Sequence, residues 1–416
     1  MMAPVLQEKL ESATNRLVMG SAMCRKLFIL LLILFTSLPV FAGDTPLAPF
    51  PWQNTVSRLM DKAMADGLVA GGVVVVGNRH GIVYESAFGR VSGESGALPV
   101  STETIFDVAS LTKVVATAPV VMGLVEQGRL SLADPVTRWF PEFAGKGKDG
   151  VLVEHLLTHT SGLDDFPLSA SSPLLSALEG VARQKLKGEP GHRFRYADIN
   201  FILLGELVRR VTGTPLDRVV SETVYGPLAM TATCFNPGPA AAGRCAATLD
   251  VGGGPQFGKV QDTTARLLDG VAGHAGIFTT AGDLARFCRM ILGDGELDGQ
   301  RVLAAPTLRQ MAAPHFSRGG TVRRGLGWDI ASPYSSPKGR GFSEASFGHT
   351  GYSGSSLWID PENDVFVVLL SSRLDYRSTR AFSKLRNDLS TVAFAMLHPD
   401  LRELSEIAMF KAPQGR

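Results

Sequence analysis

Ser110-Leu111-Thr112-Lys113 opens a long apolar stretch and reads S-x-x-K. On a helix, positions three apart share a face, so this spacing predicts that the hydroxyl and the amine meet. A serine at its free pKa is a poor nucleophile. A lysine beside it can take its proton, provided the lysine starts neutral. Burial and the positive end of a helix dipole both favour the neutral amine. Leu111, Val114, Val115, Ala116 and Ala118 supply the apolar surroundings. The pattern is short, and a chain of this length holds roughly one by chance. A second copy, Ser335-Ser336-Pro337-Lys338, sits among Pro333, Pro337 and Gly339, which predicts a loop without a shared helical face. The partners elsewhere in the chain therefore decide.

Working outward from Ser110, residues 52–66 read as an amphipathic helix. Val69 to Val76 and Gly81 to Phe88 read as strands joined by the turn Gly77-Asn78-Arg79-His80. Helical patterns broken by Gly, Pro and Ser fill about 134–270, the clearest from Phe201 to Val211, and Leu284 to Leu292 is another helix. Ser355 to Asp360 and Val365 to Ser371 flank the turn Pro361-Glu362-Asn363-Asp364, and 375–396 is helical again. Strands at both ends bracket a helical middle. The simplest assembly is an α+β fold: an antiparallel sheet built from both ends, flanked by helices, with a mostly helical domain inserted. The sheet part is expected over about 55–133 and 271–396, the helical part over about 134–270, and a tail over 397–416.

The chain has 416 residues, 45% hydrophobic and 19% charged, enough for a large core without disulfides or a structural metal. A formal charge of +2, with no block of clustered Lys and Arg, gives no support to nucleic-acid binding. Arg25 and Lys26 precede the apolar run Leu27 to Phe35, and Val40-Phe41-Ala42 offers small residues at cleavage spacing. Residues 1–42 therefore read as a secretory signal, cleaved between Ala42 and Gly43, with Met19 or Met23 a more natural start than Met1. An uncleaved N-terminal anchor is the alternative, and no stable membrane span is expected after cleavage. Cys234, Cys245 and Cys288 remain beyond that point. An odd number leaves at least one thiol, Cys234 and Cys245 are close enough in sequence to pair in an oxidising compartment, and Cys288 reads as a buried thiol.

Two further segments join the S-x-x-K: Tyr196-Ala197-Asp198, running into Ile199-Asn200-Phe201, and Gly348-His349-Thr350-Gly351 just before a strand. The ordered set resembles the S-x-x-K, Y-x-N and K-T-G motifs of the serine β-lactamase and penicillin-binding protein superfamily, most of all its class C β-lactamase-like branch of DD-peptidases, esterases and D-amino-acid amidases. Leu156 to Leu163, Gly273 to Thr280 and Gly327-Trp328 fit as accessory segments, and the resemblance spans roughly 55–395. It implies Ser110 as nucleophile, Lys113 as its activator, and Tyr196 sharing base work and protonating the leaving group. It also implies an oxyanion hole from the backbone N–H groups of Ser110 and Tyr352, with Asp198, His349, Thr350 and Gly351 meeting the substrate. No cofactor and no metal are implied.

Two positions depart from the family pattern. Asp198 stands for the second-motif asparagine. A carboxylate cannot donate hydrogen bonds, repels an anionic substrate, and can hold Lys113 as an ammonium, against a neutral lysine base. His349 stands for the third-motif lysine and is largely neutral near pH 7, so the fixed cation for a substrate carboxylate is weakened. If carboxylates are nonetheless recognised, Arg323 or Arg324 could provide the cation. His155 and His159 lie four apart but lack the H-E-x-x-H form, and His274 reads as structural. The expectation is a secreted or periplasmic serine hydrolase acting on a peptidoglycan-type peptide, a D-amino-acid amide or a small ester. The alternatives are a true β-lactamase and a non-catalytic penicillin- or peptidoglycan-binding protein. An α/β-hydrolase would need G-x-S-x-G, which is absent from the sequence.

Overall fold

A run of valine sets the centre of the sheet. In a computed structural model, which describes residues 51–249 and 254–398, Val73 to Val76 are fully buried within strand β1, Val69–Asn78. Side chains alternate across a strand, and here both faces are covered. Val73 and Val75 join the large core, while Val76 packs on the opposite side with Trp358 and Phe394. The expected helix is α1, Pro51–Ala65, and β1 turns back into β2, Gly81–Gly89. The signal segment 1–42 and residues 399–416 of the expected tail lie outside the described residues.

Eight antiparallel strands form the main sheet, six of them from the C-terminal part of the chain. β1 sits between β2 and the long strand Val365–Arg373, which pairs in turn with Ser356–Asp360, Phe347–Thr350 and three shorter strands reaching back to Phe316. The two ends of the chain thus build one sheet, as the strand pattern predicts. Residues 134–270 contribute no strand to it, yet Phe140, Leu156, Phe201 and Leu207 share one continuous core with Val73 and Leu370.

The Ser110 segment is less regular than the expected helix. A 3₁₀ turn over Ala109–Leu111 is followed by a π turn over Lys113–Thr117, and only then by α2, Ala118–Glu126. Two causes are visible. Ala109 has φ of +46°, a left-handed conformation that cannot start an α-helix. Pro119 has no N–H to give to the carbonyl four residues earlier, so the ladder is interrupted there. The apolar surroundings predicted for this stretch are present: Leu111, Val114, Val115, Ala116 and Ala118 are all fully buried.

The other expected helices are α3, Ile199–Thr212; α4, Ala281–Leu292; and α5, Thr379–Leu397. α4 packs on β1 and its neighbour Val365–Arg373, and α5 packs on the latter. Cys234, Cys245 and Cys288 are free thiols, so the contemplated Cys234–Cys245 disulfide is not formed. Cys288 is fully buried on α4, as expected.

Candidate active site

The turn that presents Ser110 is held by a buried carboxylate. Asp107 ends the short strand Phe106–Asp107 and accepts the Ala109 N–H at 2.8 Å, an Asx-type bond that fixes the left-handed Ala109. Its other oxygen accepts the Gln261 N–H at 2.7 Å. Burial pushes the Asp107 carboxyl up to about 6, against the pull of these two N–H groups.

The predicted contact is made. Lys113 Nζ lies 2.9 Å from Ser110 Oγ. The lysine is fully buried and also donates to the His274 carbonyl at 3.0 Å. Its third neighbour is Asp198 Oδ1, at 2.7 Å. Burial alone pushes the amine pKa down. The Asp198 charge and Tyr196 together outweigh that, and the amine ends above its ordinary value. The resting site thus holds an ammonium, which is the second of the two states that Asp198 permits on sequence grounds. The aspartate's carboxyl is in turn depressed: burial raises it, and Lys113 more than reverses the effect.

The Tyr196 hydroxyl is turned to both Ser110 and Lys113. Its phenol is raised by burial, partly offset by the Lys113 charge, so it rests protonated. Its ring stacks on His159 at 4.3 Å. His159 is sealed in the core, where burial holds it neutral, and its Nδ1 accepts the Ala197 N–H at 3.2 Å. His155 spends its own Nδ1 on the Leu152 N–H. The two histidines are therefore backbone braces and not a metal pair. Asp198 and Ile199 give their N–H groups to the Asp165 carboxylate, at 3.1 and 2.9 Å, which docks the start of α3 beside the site.

Sequence reasoning missed one member of this cluster. Asp262, from a stretch expected only as part of the helical region, faces His274 Nε2 at 2.9 Å and is pulled down to about 2, chiefly by that partner against the effect of burial. Its signal was local: Asp262 also caps the turn Thr263–Leu267 by accepting the Ala265 N–H. Asp198, Asp262 and His274 bring ligand-type atoms within 4.8 Å of one another. The Lys113 ammonium already sits against Asp198, so a protein cation takes the place that a metal would need.

The third motif closes the opposite wall. His349 is buried, and its Nδ1–H donates to the Thr350 carbonyl at 2.9 Å. Burial, reinforced by Arg324 and Lys113, holds it well below the usual histidine range and neutral. Arg324 is 1% exposed and paired with Asp329 at 3.1 Å, so it cannot meet a substrate; Arg323 pairs with Glu344. Gly351 touches the Ser110 turn so closely that a Cβ would lie 2.3 Å from the Val108 carbonyl oxygen. Thr350 is half-buried beside it, and Tyr352 is exposed. Ser110, Tyr196, Asp198, Asp262, Tyr352 and Tyr376 line one cavity of about 530 Å³. The second S-x-x-K makes no such site: Lys338 Nζ reaches the Ser343 carbonyl, and Ser335 Oγ faces Ser332.

The arrangement is suited to acyl transfer: a hydroxyl against an amine and a phenol, with a backbone loop facing it across a cavity. Comparison with known proteins agrees. The family model described as Beta-lactamase matches residues 56–389. An Escherichia coli K12 protein named "Putative D-alanyl-D-alanine carboxypeptidase" is 30% identical, over 77% of this chain and 82% of that one. Among solved structures, EstCE1, described as a hydrolase with promiscuous acyltransferase activity, aligns with TM-score 0.68 at 23% identity, over 82% of this chain and 98% of that one. A penicillin-binding protein homologue from Caulobacter crescentus aligns with TM-score 0.68 at 23% identity, over 83% and 97%. These two share the fold. Motifs, matched family and relatives converge, and the chain belongs to the β-lactamase family as one of its serine hydrolases.

Proposed function

We propose that the protein is an exported hydrolase that forms an acyl-enzyme on Ser110 and acts on small esters, D-amino-acid amides or peptidoglycan-type peptides. The observation that carries this is the 2.9 Å contact between Ser110 Oγ and Lys113 Nζ at the wall of an open cavity. The reactive form is the one in which Tyr196 has lost its proton to solvent and the Lys113 ammonium stabilises the phenolate; Ser110 then attacks the carbonyl carbon as its proton passes to that phenolate. The oxyanion that forms is received by the N–H groups of Ser110 and Tyr352. Tyr196 then gives its proton to the leaving group, and water attacks the acyl-enzyme by the reverse route.

The name of the Escherichia coli relative favours a peptide substrate. The polar walls of the cavity favour a neutral one. Asp198 and Asp262 line it, and the neighbouring His349 is neutral, so a substrate carboxylate finds repulsion on one side and no fixed cation on the other. The signal-type segment 1–42 supports export, with Gly43 as the first mature residue. A fluorophosphonate probe tests the nucleophile. Wild type and Ser335→Ala should label and Ser110→Ala should not; full labelling of the Ser110 variant ends this reading.

A further inference from the structure

Arg386 is a buried cation without a carboxylate. It lies on α5, and among the described residues no acidic side chain pairs with it. Its Nη2 instead donates to two backbone carbonyls of the loop opposite Ser110, Gly351 O at 2.6 Å and Ser355 O at 2.7 Å. Burial with no anionic partner, and the neighbouring Arg373, push its pKa down to about 9, which leaves it charged at neutral pH. Arg373, the last residue of its strand, holds the next carbonyl, Tyr352 O, at 3.2 Å. Both guanidinium groups stack on Phe382 of α5, at 4.5 and 4.6 Å from the ring centroid. Desolvating two like charges side by side is costly.

The Gly351 carbonyl and the Tyr352 N–H belong to one peptide group. In a trans peptide the two point in opposite directions. A guanidinium that grips the carbonyl from the α5 side therefore turns the N–H away from α5, toward the cavity that Tyr352 and Ser110 line together. A cation on the carbonyl oxygen also draws electron density through the amide and makes the N–H a stronger donor. The loop is clamped from its other side as well: Ser353 Oγ donates to the Asp107 carbonyl at 2.6 Å, and Gly351 rests on Val108.

We propose that Arg386 is a positioning residue for acyl transfer, aiming and polarising the Tyr352 N–H so that it stabilises the oxyanion formed on attack by Ser110. The inference rests on Ser110 being the nucleophile. Arg386 touches neither substrate nor reacting atoms, so its removal should weaken transition-state stabilisation and leave ground-state binding intact.

The test uses the full chain with a nitrophenyl ester, and rates are referred to sites counted by fluorophosphonate titration, which removes any effect of a misfolded fraction. Arg386→Met should lower kcat per site about 30-fold with KM within about threefold, since losing an oxyanion donor outright costs about 10²–10³. Arg386→Lys, which keeps the charge on a shorter side chain without the planar fork, should recover part of that loss. Affinity for phenylboronic acid, whose tetrahedral adduct places an oxygen in the hole, should fall in step with kcat across the series. Unchanged kcat per site in Arg386→Met, or a loss confined to KM, overturns the proposal. If the methionine variant does not fold, Arg386→Lys decides alone: wild-type kcat and boronate affinity overturn it, and parallel losses support it. Wild-type protein that labels at Ser110 beside inert Arg386 changes would sink this inference only. Absence of labelling at Ser110 would remove the underlying reading.

Discussion

Lys113 Nζ is nearer to Asp198 Oδ1, at 2.7 Å, than to Ser110 Oγ, at 2.9 Å. The amine next to the candidate nucleophile is thus one half of an ion pair, and its proton is held by the residue that replaces the family's asparagine. The cost of burying this lysine is met by Asp198, and the consequence is a site that rests in its acid form. In the proposed mechanism Ser110 loses its proton only when Tyr196 or Lys113 has lost one, and both titrate above their ordinary values.

The rate should therefore climb with pH beyond neutrality, with no plateau before the alkaline range. Asp198→Asn removes the largest influence raising Lys113 and one that raises Tyr196, leaving burial to push the lysine down. Both changes act in one direction: the rising limb of kcat/KM should move to lower pH by about one unit or more, since a pair at this distance is worth that much even at a moderate dielectric. A pH–rate profile of the two proteins on a nitrophenyl ester checks this. A limb that stays in place, or moves upward, shows that the Lys113–Asp198 pair does not govern the base.

Gly351→Ala should be severe. The new methyl would meet the Val108 carbonyl oxygen at 2.3 Å, and that atom is backbone, so the loop must move off the Ser110 turn. A loop displaced by about 1 Å loses its alignment with the reacting centre, and the expected loss in kcat is about 10²-fold. Active-site titration with thermal unfolding separates this from simple instability: a variant with wild-type Tm and wild-type kcat would show that the contact can relax.

The three thiols should behave as unequal groups. Cys288 is fully buried and Cys245 nearly so, with burial driving the first well above its ordinary pKa and the second up to about 12. Cys234 is half-buried and raised less. A thiol reagent at pH 8 should modify at most Cys234 in the native protein and all three, in a chain processed before Gly43, after denaturation. A single reactive thiol after denaturation without reductant would instead point to a Cys234–Cys245 disulfide formed on oxidation.

The sheet and the Ser110–Lys113 contact were legible because each is written locally. A continuous valine-rich run and turn residues define β1, β2 and the late hairpin, and a three-residue spacing defines the pair. The π turn was not, since it depends on Ala109 being held left-handed by Asp107 and on where Pro119 interrupts the ladder. The places of Asp262 and Arg386 beside the site were hidden for a different reason. Asp262 meets His274 only once their segments flank Ser110, and Arg386 reaches Gly351 from 35 positions away, through backbone carbonyls that no side-chain pattern records. The state of Lys113 could be posed from sequence as two alternatives, and only the 2.7 Å separation from Asp198 chose between them.

Substrate choice gives the last prediction. A lysine at position 349 would reach the same wall as His349, which is now neutral and whose Nδ1–H is spent on the Thr350 carbonyl. Arg324 and Lys113 already bear on this position, and burial works with them to suppress a new charge. A substrate carboxylate would counter all three, because it is the one partner that gains when the amine is protonated. His349→Lys should thus raise the ratio of kcat/KM for a penicillin or D-Ala-D-Ala peptide over that for a neutral nitrophenyl ester, by roughly tenfold if one charge-assisted hydrogen bond forms. The neutral ester gains nothing and sets the baseline for any general damage. Wild-type protein should turn over the ester and leave penicillin largely untouched. An unchanged ratio in the variant would mean that carboxylate recognition does not run through this position, and Arg324, sealed against Asp329, could not supply it without opening the wall. Efficient penicillin turnover by the wild type would refute the preference for neutral substrates and leave the Ser110 chemistry standing.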